Sequence, residues 1–252
     1  MVKNTRIIGI ISGKGGVGKT TIVANLGAAL SRKFKKDVTI VDCNLTTSHL
    51  SLSLGMYYCP TTINNILRGE NKIFDAMYTH PSGMKVIPCS LHLKELERVD
   101  ITKLKEVIKE LEGMFDVVIL DASPGLGREA YAAIHASEEI IFVTNPNIPA
   151  ATDILKCKEI IKEVSKKPIG VVLNMVNRKS YELTKREVEM LTEMPVIASI
   201  SHDSNIHKSL AAKMPVVIFN PKSKSSEELT KLAGWLIGEE EKGFFSRFFK
   251  IK

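Results

Sequence analysis

Gly13-Lys14-Gly15-Gly16-Val17-Gly18-Lys19-Thr20 sits between an apolar, β-branched run, Arg6 to Ser12, and a stretch with helical spacing, Thr20 to Lys33. It satisfies the pattern Gly-x-x-x-x-Gly-Lys-Thr in the strand–loop–helix setting that this phosphate-binding loop requires. Each residue type has a task. Glycines let backbone N–H groups approach phosphate oxygens, the helix that follows aims its positive end at them, and Lys19 adds a cation. Residues 13–21, ending in Thr20 and Thr21, are therefore the expected phosphate cradle, with the Thr20 hydroxyl on Mg²⁺.

Outward from the loop, short β-branched runs alternate with helical patterns along nearly the whole chain. The expected strands are Arg6 to Ser12, Val38 to Asp42, Lys85 to Pro88, Asp116 to Asp121, Glu139 to Thr144, Ile169 to Val176 and Pro195 to Ile200. Several are apolar almost throughout, as strands buried on both faces are. Helical spacing marks Thr20 to Lys33, Thr102 to Glu112, Ala150 to Val164, Thr184 to Glu193 and Asn205 to Lys213. A closing helix is expected over Ser225 to Glu241, with Leu229, Leu232, Ala233, Leu236 and Ile237 toward the core. This order predicts a doubly wound α/β fold, a mainly parallel sheet with helices on both faces.

Composition narrows the rest. The 252 residues are 44% hydrophobic and 25% charged, enough for one domain with a large core. No apolar run approaches the roughly 18 to 20 residues that cross a bilayer. The opening Met1 to Arg6 leads straight into a strand-like run, without the regions of a secretory signal, so a cytoplasmic location is expected. Net charge is +7, which suits nucleotide, nucleic acid or anionic lipid without choosing among them. Cys43, Cys59, Cys89 and Cys157 lie far apart with no paired spacing, which signals neither a zinc site nor a disulfide framework. No metal is implied beyond one carried by a nucleotide.

The second lysine of the loop is the distinguishing feature. Lys14-Gly-Gly-Val-Gly-Lys-Thr-Thr21 resembles the deviant Walker A motif of the MinD/ParA family of dimerising P-loop ATPases, most of all its archaeal MinD-like members. The resemblance covers about residues 4–238 and is specific across Asp42 to Gly55 and Pro81 to Pro88. It implies ATP and Mg²⁺ as ligands and a P-loop NTPase fold. It places Lys14 on phosphate held by the other subunit of an ATP-dependent homodimer. Asp42-Cys-Asn-Leu-Thr-Thr falls where the family has switch I, and Asp121-Ala-Ser-Pro-Gly125 where it has Walker B and switch II. Asp42 and Asp121 are carried over as metal-site residues, Asp121 through water, although either also reads as an ordinary strand-end cap. Asn174 matches the adenine-recognition position, and equally suits a turn after a strand. Arg178 nearby reads as a base contact or a solvated loop residue.

Phosphoryl transfer asks for an in-line water and charge neutralisation around the γ-phosphate. Lys19 and Lys14 supply cations, and Asp42 with Asn44 is the expected water-positioning pair. The common family pattern has an aspartate where this chain has Asn44. An amide orients water without supplying negative charge, so slow turnover without a partner is expected.

Composition shifts abruptly at residue 242, which divides the chain into an ATPase domain, 1–241, and a tail, 242–252. Four of the nine phenylalanines fall in the tail. Phe244, Phe245, Phe248 and Phe249 form one apolar stripe on a helical wheel, flanked by Arg247 and Lys250, the pattern of an interfacial amphipathic helix. Packing against the domain or a dimer partner is the other reading of these rings. The combined expectation is an ATPase cycling on and off the inner face of the cell membrane in division-site or polar positioning, answering to an unidentified protein activator or cargo. The alternative is a DNA-partitioning ATPase that binds nucleic acid through Lys156, Lys158, Lys162, Lys166 and Lys167, residues that also read as a solvated helix face. A cluster-carrying relative is disfavoured because no cysteine follows Asp121 closely.

Overall fold

The computed structural model describes residues 3–239. The expected membrane tail, with Phe244, Phe245, Arg247, Phe248, Phe249 and Lys250, lies outside the described residues. Eight strands form a single sheet among them: β1 (Arg6–Ile11), β2 (Val38–Cys43), β3 (Tyr78–Thr79), β4 (Lys85–Ile87), β5 (Val117–Ala122), β6 (Glu139–Thr144), β7 (Lys167–Val176) and β8 (Val196–Ser201). Their order is β3-β4-β2-β5-β1-β6-β7-β8. All pairs are parallel except β3 with β4.

The helices are α1 (Lys19–Arg32), α2 (Leu50–Ser53), α3 (Ile63–Leu67), α4 (Leu104–Lys109), α5 (Arg128–Ala136), α6 (Ile148–Glu163), α7 (Lys185–Thr192), α8 (Ser204–Ala211), α9 (Val216–Phe219) and α10 (Lys224–Leu236). They cover the sheet from both sides, and the two-residue period of the strands sorts its apolar side chains between two cores. Ile7, Ile11, Val118, Leu120, Ile140 and Phe142 face one core, which α3 to α7 complete. Ile8, Ile10, Val117, Ile119, Ile141 and Val143 face the other, with α1, α9 and α10. Each fully buried aliphatic side chain contributes about 1.5–3 kcal/mol of gross stabilisation, which explains why the central residues of these strands are mostly apolar on both faces.

Four differences from the sequence reading have local causes. α10 stops at Leu236 rather than Glu241: Gly238 takes φ 71°. Its N–H donates to the Trp235 carbonyl while that of Glu239 donates to the Gly234 carbonyl, a left-handed helix stop that glycine favours. α4 starts later than Thr102 because Ile101–Lys103 forms a tighter turn first, capped by the Asp100 carboxylate on the Thr102 N–H. α5 escaped the periodicity because four of its nine residues are alanines, which pack closely without a strong apolar signature. The two-residue β3 is likewise too short for a pattern to mark.

β1 lies between β5 and β6 in the middle of the sheet. In open parallel sheets the crevice at the C-terminal strand ends, where connections diverge to either side, is the ligand site. The loop of residues 12–18 leaves β1 at that crevice.

Candidate nucleotide and metal site

The loop closes onto α1 through Gly18, which takes φ 93° as the residue preceding the helix. A β-carbon there would lie 2.3 Å from Asn174 Nδ2, so both the backbone angle and the space demand glycine. Gly13 is held as tightly: its β-carbon would stand 2.2 Å from that of Asp153, where α6 crosses the loop. From the other side, the Gly125 N–H donates to the Ser12 carbonyl at 3.0 Å, so the segment after β5 lies on the loop.

Lys19 is only 7% exposed, and its ammonium donates to Ser12 Oγ at 2.8 Å. Ser12 Oγ in turn donates to the Lys14 carbonyl at 2.7 Å. Burial lowers the Lys19 pKa, with Asp121 acting in the opposite direction. The Lys14 side chain is half-buried at the lip of the loop.

Asp42 and Asp121 are opposite each other in the β2–β5 register, and both are buried. Ser48 Oγ donates to Asp42 Oδ2 at 2.6 Å and the Asn44 N–H to Oδ1 at 3.0 Å. Burial raises the Asp42 pKa despite these bonds. Burial raises that of Asp121 as well, and the charge of Asp42 adds to it, while a hydrogen bond from Thr20 and the Lys19 charge oppose the rise. Asp121 Oδ1 is buried without a hydrogen-bond partner among the described residues. Two buried carboxylates, one with an orphaned oxygen, beside a threonine hydroxyl form a hard-oxygen donor set that fits a small divalent cation such as Mg²⁺.

Asn44 is occupied locally. Its Nδ2 donates to the Thr47 carbonyl at 2.8 Å, and its Oδ1 accepts from the Thr47 N–H and hydroxyl. Ser123 Oγ also donates to Oδ1 at 3.2 Å, joining the loop after β2 to the loop after β5. An aspartate would keep the acceptor side of this turn, lose the bond to Thr47, and add a third negative charge near Asp42 and Asp121.

Asn174 is 3% exposed and supports the loop: its Nδ2 donates to the Val17 carbonyl at 2.8 Å. Its Oδ1 is buried with no partner among the described residues. Arg178 is exposed at φ 59°, in the loop after β7. The structure thus brings the loop, Asp42, Asn44, Asp121 and Asn174 to one crevice. It adds contacts from Ser12, Ser48 and Ser123 that the spacing did not assign: Ser12 ends the first strand, Ser48 lies six residues beyond the Asp42 carboxylate it serves, and Ser123, inside the stretch 121–125, serves the Asn44 amide.

The basic helix α6 and its continuation are largely occupied by acids. Lys156 pairs with Asp153 at 3.6 Å, Lys158 with Glu193 at 2.6 Å and Lys167 with Glu139 at 3.3 Å. Lys162 also acts on Glu193, and Glu138 on Lys166. Among the described residues no helix is long and apolar enough to cross a membrane.

The family model described as the CobQ/CobB/MinD/ParA nucleotide binding domain matches residues 8–216, from within β1 to the start of α9. The chain belongs to the MinD/ParA family. Among similar proteins, an uncharacterized ATP-binding protein of Methanocaldococcus jannaschii is 36% identical, over 96% of this chain and 95% of that one. The septum site-determining protein MinD of Thermotoga maritima is 28% identical, over 92% of this chain and 88% of its own length. The structure of the septum site-determining protein MinD from Pyrococcus horikoshii, complexed with Mg-ADP, superposes with a TM-score of 0.89 at 35% identity, covering 92% of this chain and 96% of that one. Family membership agrees with the crevice: the loop, the register of the two carboxylates and the parallel sheet are the parts that a nucleotide-binding domain of this kind brings together.

Proposed function

We propose that the chain is an ATPase that pairs as an ATP-bound homodimer, attaches to the inner face of the cell membrane through residues 244–250, and releases after hydrolysis, so that it positions division or polar machinery. The observation that carries the chemistry is the in-register buried pair Asp42 and Asp121 beside Lys19 and Thr20. Thr20, Asp42 and Asp121 would hold Mg²⁺, Asp121 through water. Such an ion neutralises charge developing on the transferred phosphoryl group.

The chain's own residues divide the remaining work. Lys19 exchanges its bond to Ser12 for phosphate, and the amides of residues 13–21 bind phosphate oxygens. Lys14, at the lip of the loop, meets phosphate held by the second subunit, so pairing and catalysis are one event. The unpartnered Oδ1 of Asn174 accepts from the adenine amine. Asp42, fixed by Ser48, accepts a hydrogen bond from the attacking water. Asn44 holds the turn and lends that water no negative charge, so turnover without a partner is slow. A partner-independent rate near that of a median enzyme, on the order of 10 per second, overturns that point.

The positioning role is supported by relatives named for septum-site determination, and the membrane by the aromatic and basic tail. Four partly buried phenylalanines contribute about 1.5–3 kcal/mol each in gross terms, much of it offset by ordering and immobilisation. A single tail therefore binds weakly, and pairing two makes the second insertion intramolecular, a gain of roughly 10² to 10⁴. The lysines of α6 give the DNA reading less support, because acids surround them.

Co-sedimentation with anionic vesicles tests the reading, in ATP and in ADP, for the full chain and for its Phe245→Ser, Phe248→Ser variant, with DNA binding scored on the same samples. Sedimentation is expected with ATP and not with the variant. Indifference to lipid together with ATP-dependent DNA binding overturns it.

A further inference from the structure

On the sheet face of α1 and α10, away from the nucleotide crevice, lies a groove of about 930 Å³ whose lining is mostly apolar. That volume is near the upper end of pockets that enclose drug-sized molecules, roughly 300–1,000 Å³. Phe34, Ile197, Val217, Ile218 and Trp235 contribute its apolar wall, and Trp235, on α10, is left 37% exposed. The groove follows α10, from Glu228, which accepts from the Ser201 N–H at the end of β8, toward the C-terminal end of the helix at Trp235. Its last lining residue is Glu239, where the described chain ends.

We propose that the groove is the docking site of this chain's own C-terminal segment, residues 240–252, and that docking competes with the membrane for the tail. Three observations select this occupant. The segment starts at the rim, and Phe244 follows Glu239 by five residues, a reach of up to about 17 Å in extended chain. The segment holds four phenylalanines and Ile251, the apolar material the groove lacks. The rim is charge-balanced, with Glu227, Glu228 and Glu239 against Arg32, Lys33 and Lys231. A segment that begins with Glu240 and Glu241 and ends with Arg247, Lys250 and Lys252 meets no net repulsion there.

The docking stands by itself, and its regulatory meaning rests on the membrane reading above. A tail docked nine-tenths of the time binds any other surface about tenfold more weakly, because apparent affinity scales with the free fraction. The groove shares no lining residue with the nucleotide crevice, so nucleotide and tail do not compete for the same side chains. Dimerisation then shifts the balance toward lipid through two tails acting together, and hydrolysis returns each tail to its own groove.

The chain has a single tryptophan, Trp235, which makes the docking directly readable. Without lipid, emission of the full chain in ADP is expected to be blue-shifted relative to its Phe245→Ser, Phe248→Ser variant, at a magnitude independent of protein concentration. Identical emission of the two proteins overturns the docking. A shift that grows with concentration also overturns it, by assigning the groove to the tail of a second copy. Thr230 lines the groove from α10, and Thr230→Arg is expected to raise the vesicle-bound fraction in ADP severalfold; an unchanged fraction overturns the competition. If neither the full chain nor Thr230→Arg sediments with phosphatidylglycerol vesicles in any nucleotide while the emission difference persists, the membrane reading fails and the docking stands.

Discussion

Replacing Asp121 with asparagine should stabilise the nucleotide-free protein while abolishing its response to Mg-ATP. The Asp121 carboxyl rises from 3.8 to about 7, first because it is buried and then because Asp42 faces it across the β2–β5 register. At about 1.4 kcal/mol for each pH unit, that rise amounts to a ceiling of about 4 kcal/mol of strain once the group ionises. Asparagine removes the charge but leaves a buried amide short of partners, which returns about 1–3 kcal/mol. The expected net gain is about 1–3 kcal/mol at pH 8, or a Tm higher by about 2–12 °C for a domain of this size. The sign follows from proton binding. Between about pH 4 and pH 7 the native state keeps a proton that the unfolded state has lost, so this group's contribution falls as pH rises through that window. The advantage of Asp121→Asn should therefore be complete at pH 8 and give way to a net loss near pH 4, where only the cost of the buried amide remains. Thermal melts in EDTA across that range measure it. Saturating Mg-ATP should reverse the order, since ligand at 1,000 times its Kd adds about 4.1 kcal/mol to the wild type alone. An Asp121→Asn protein less stable than wild type in EDTA at pH 8 would refute the reasoning.

Lys14→Ala should bind nucleotide with little loss yet remain monomeric with ATP, as judged by light scattering after gel filtration; normal ATP-driven pairing shows that the lysine does not act across a dimer. Gly18→Ala introduces strain of about 1–3 kcal/mol at φ 93° and displaces Asn174 from the Val17 carbonyl. Its Tm should fall by several degrees and its affinity for a fluorescent ATP analogue should drop at least tenfold, whereas unchanged binding contradicts the role of the Asn174 contact. The Asp203 carboxylate is buried in part, yet bonds from Asn205 and Ser225 hold its pKa down at about 2. Asp203→Ala should cost about 1–2 kcal/mol by removing the cap of α8. That difference is complete above pH 4 and lost as pH falls toward 2, and denaturant midpoints at pH 6 and pH 2.5 check it.

How far the sequence reaches differs from part to part. The strands were legible because burial on both faces leaves only apolar residues, and β7 exceeded its expected range because Lys167 and Pro168 extend the pairing with β6 beyond the apolar run. α5 was not legible, since its buried face is made of alanines with the single Ile134 and so offers few large apolar residues to mark the spacing. The loop residues were legible individually because phosphate binding restricts residue type at fixed spacing. The contacts of Ser48 and Ser123 were not legible, since a serine that donates to one carboxylate or amide looks like any other serine until the fold brings them together.

By itself the sequence determined the doubly wound plan, the phosphate loop with its second lysine, and the family to which both belong. These rest on local rules: hydrophobic period, the backbone freedom of glycine, and the fixed spacing of Gly13, Gly18, Lys19 and Thr20. Tertiary structure alone decided that Asp42 and Asp121 are register partners, that Asn44 is held in a turn and tied to Ser123, and that Asn174 supports the phosphate loop. It alone opened the groove beside Trp235 at the point where the tail begins. Pairing across a sheet joins residues 79 positions apart, and a groove exists only between elements already packed, so neither has a trace in local spacing.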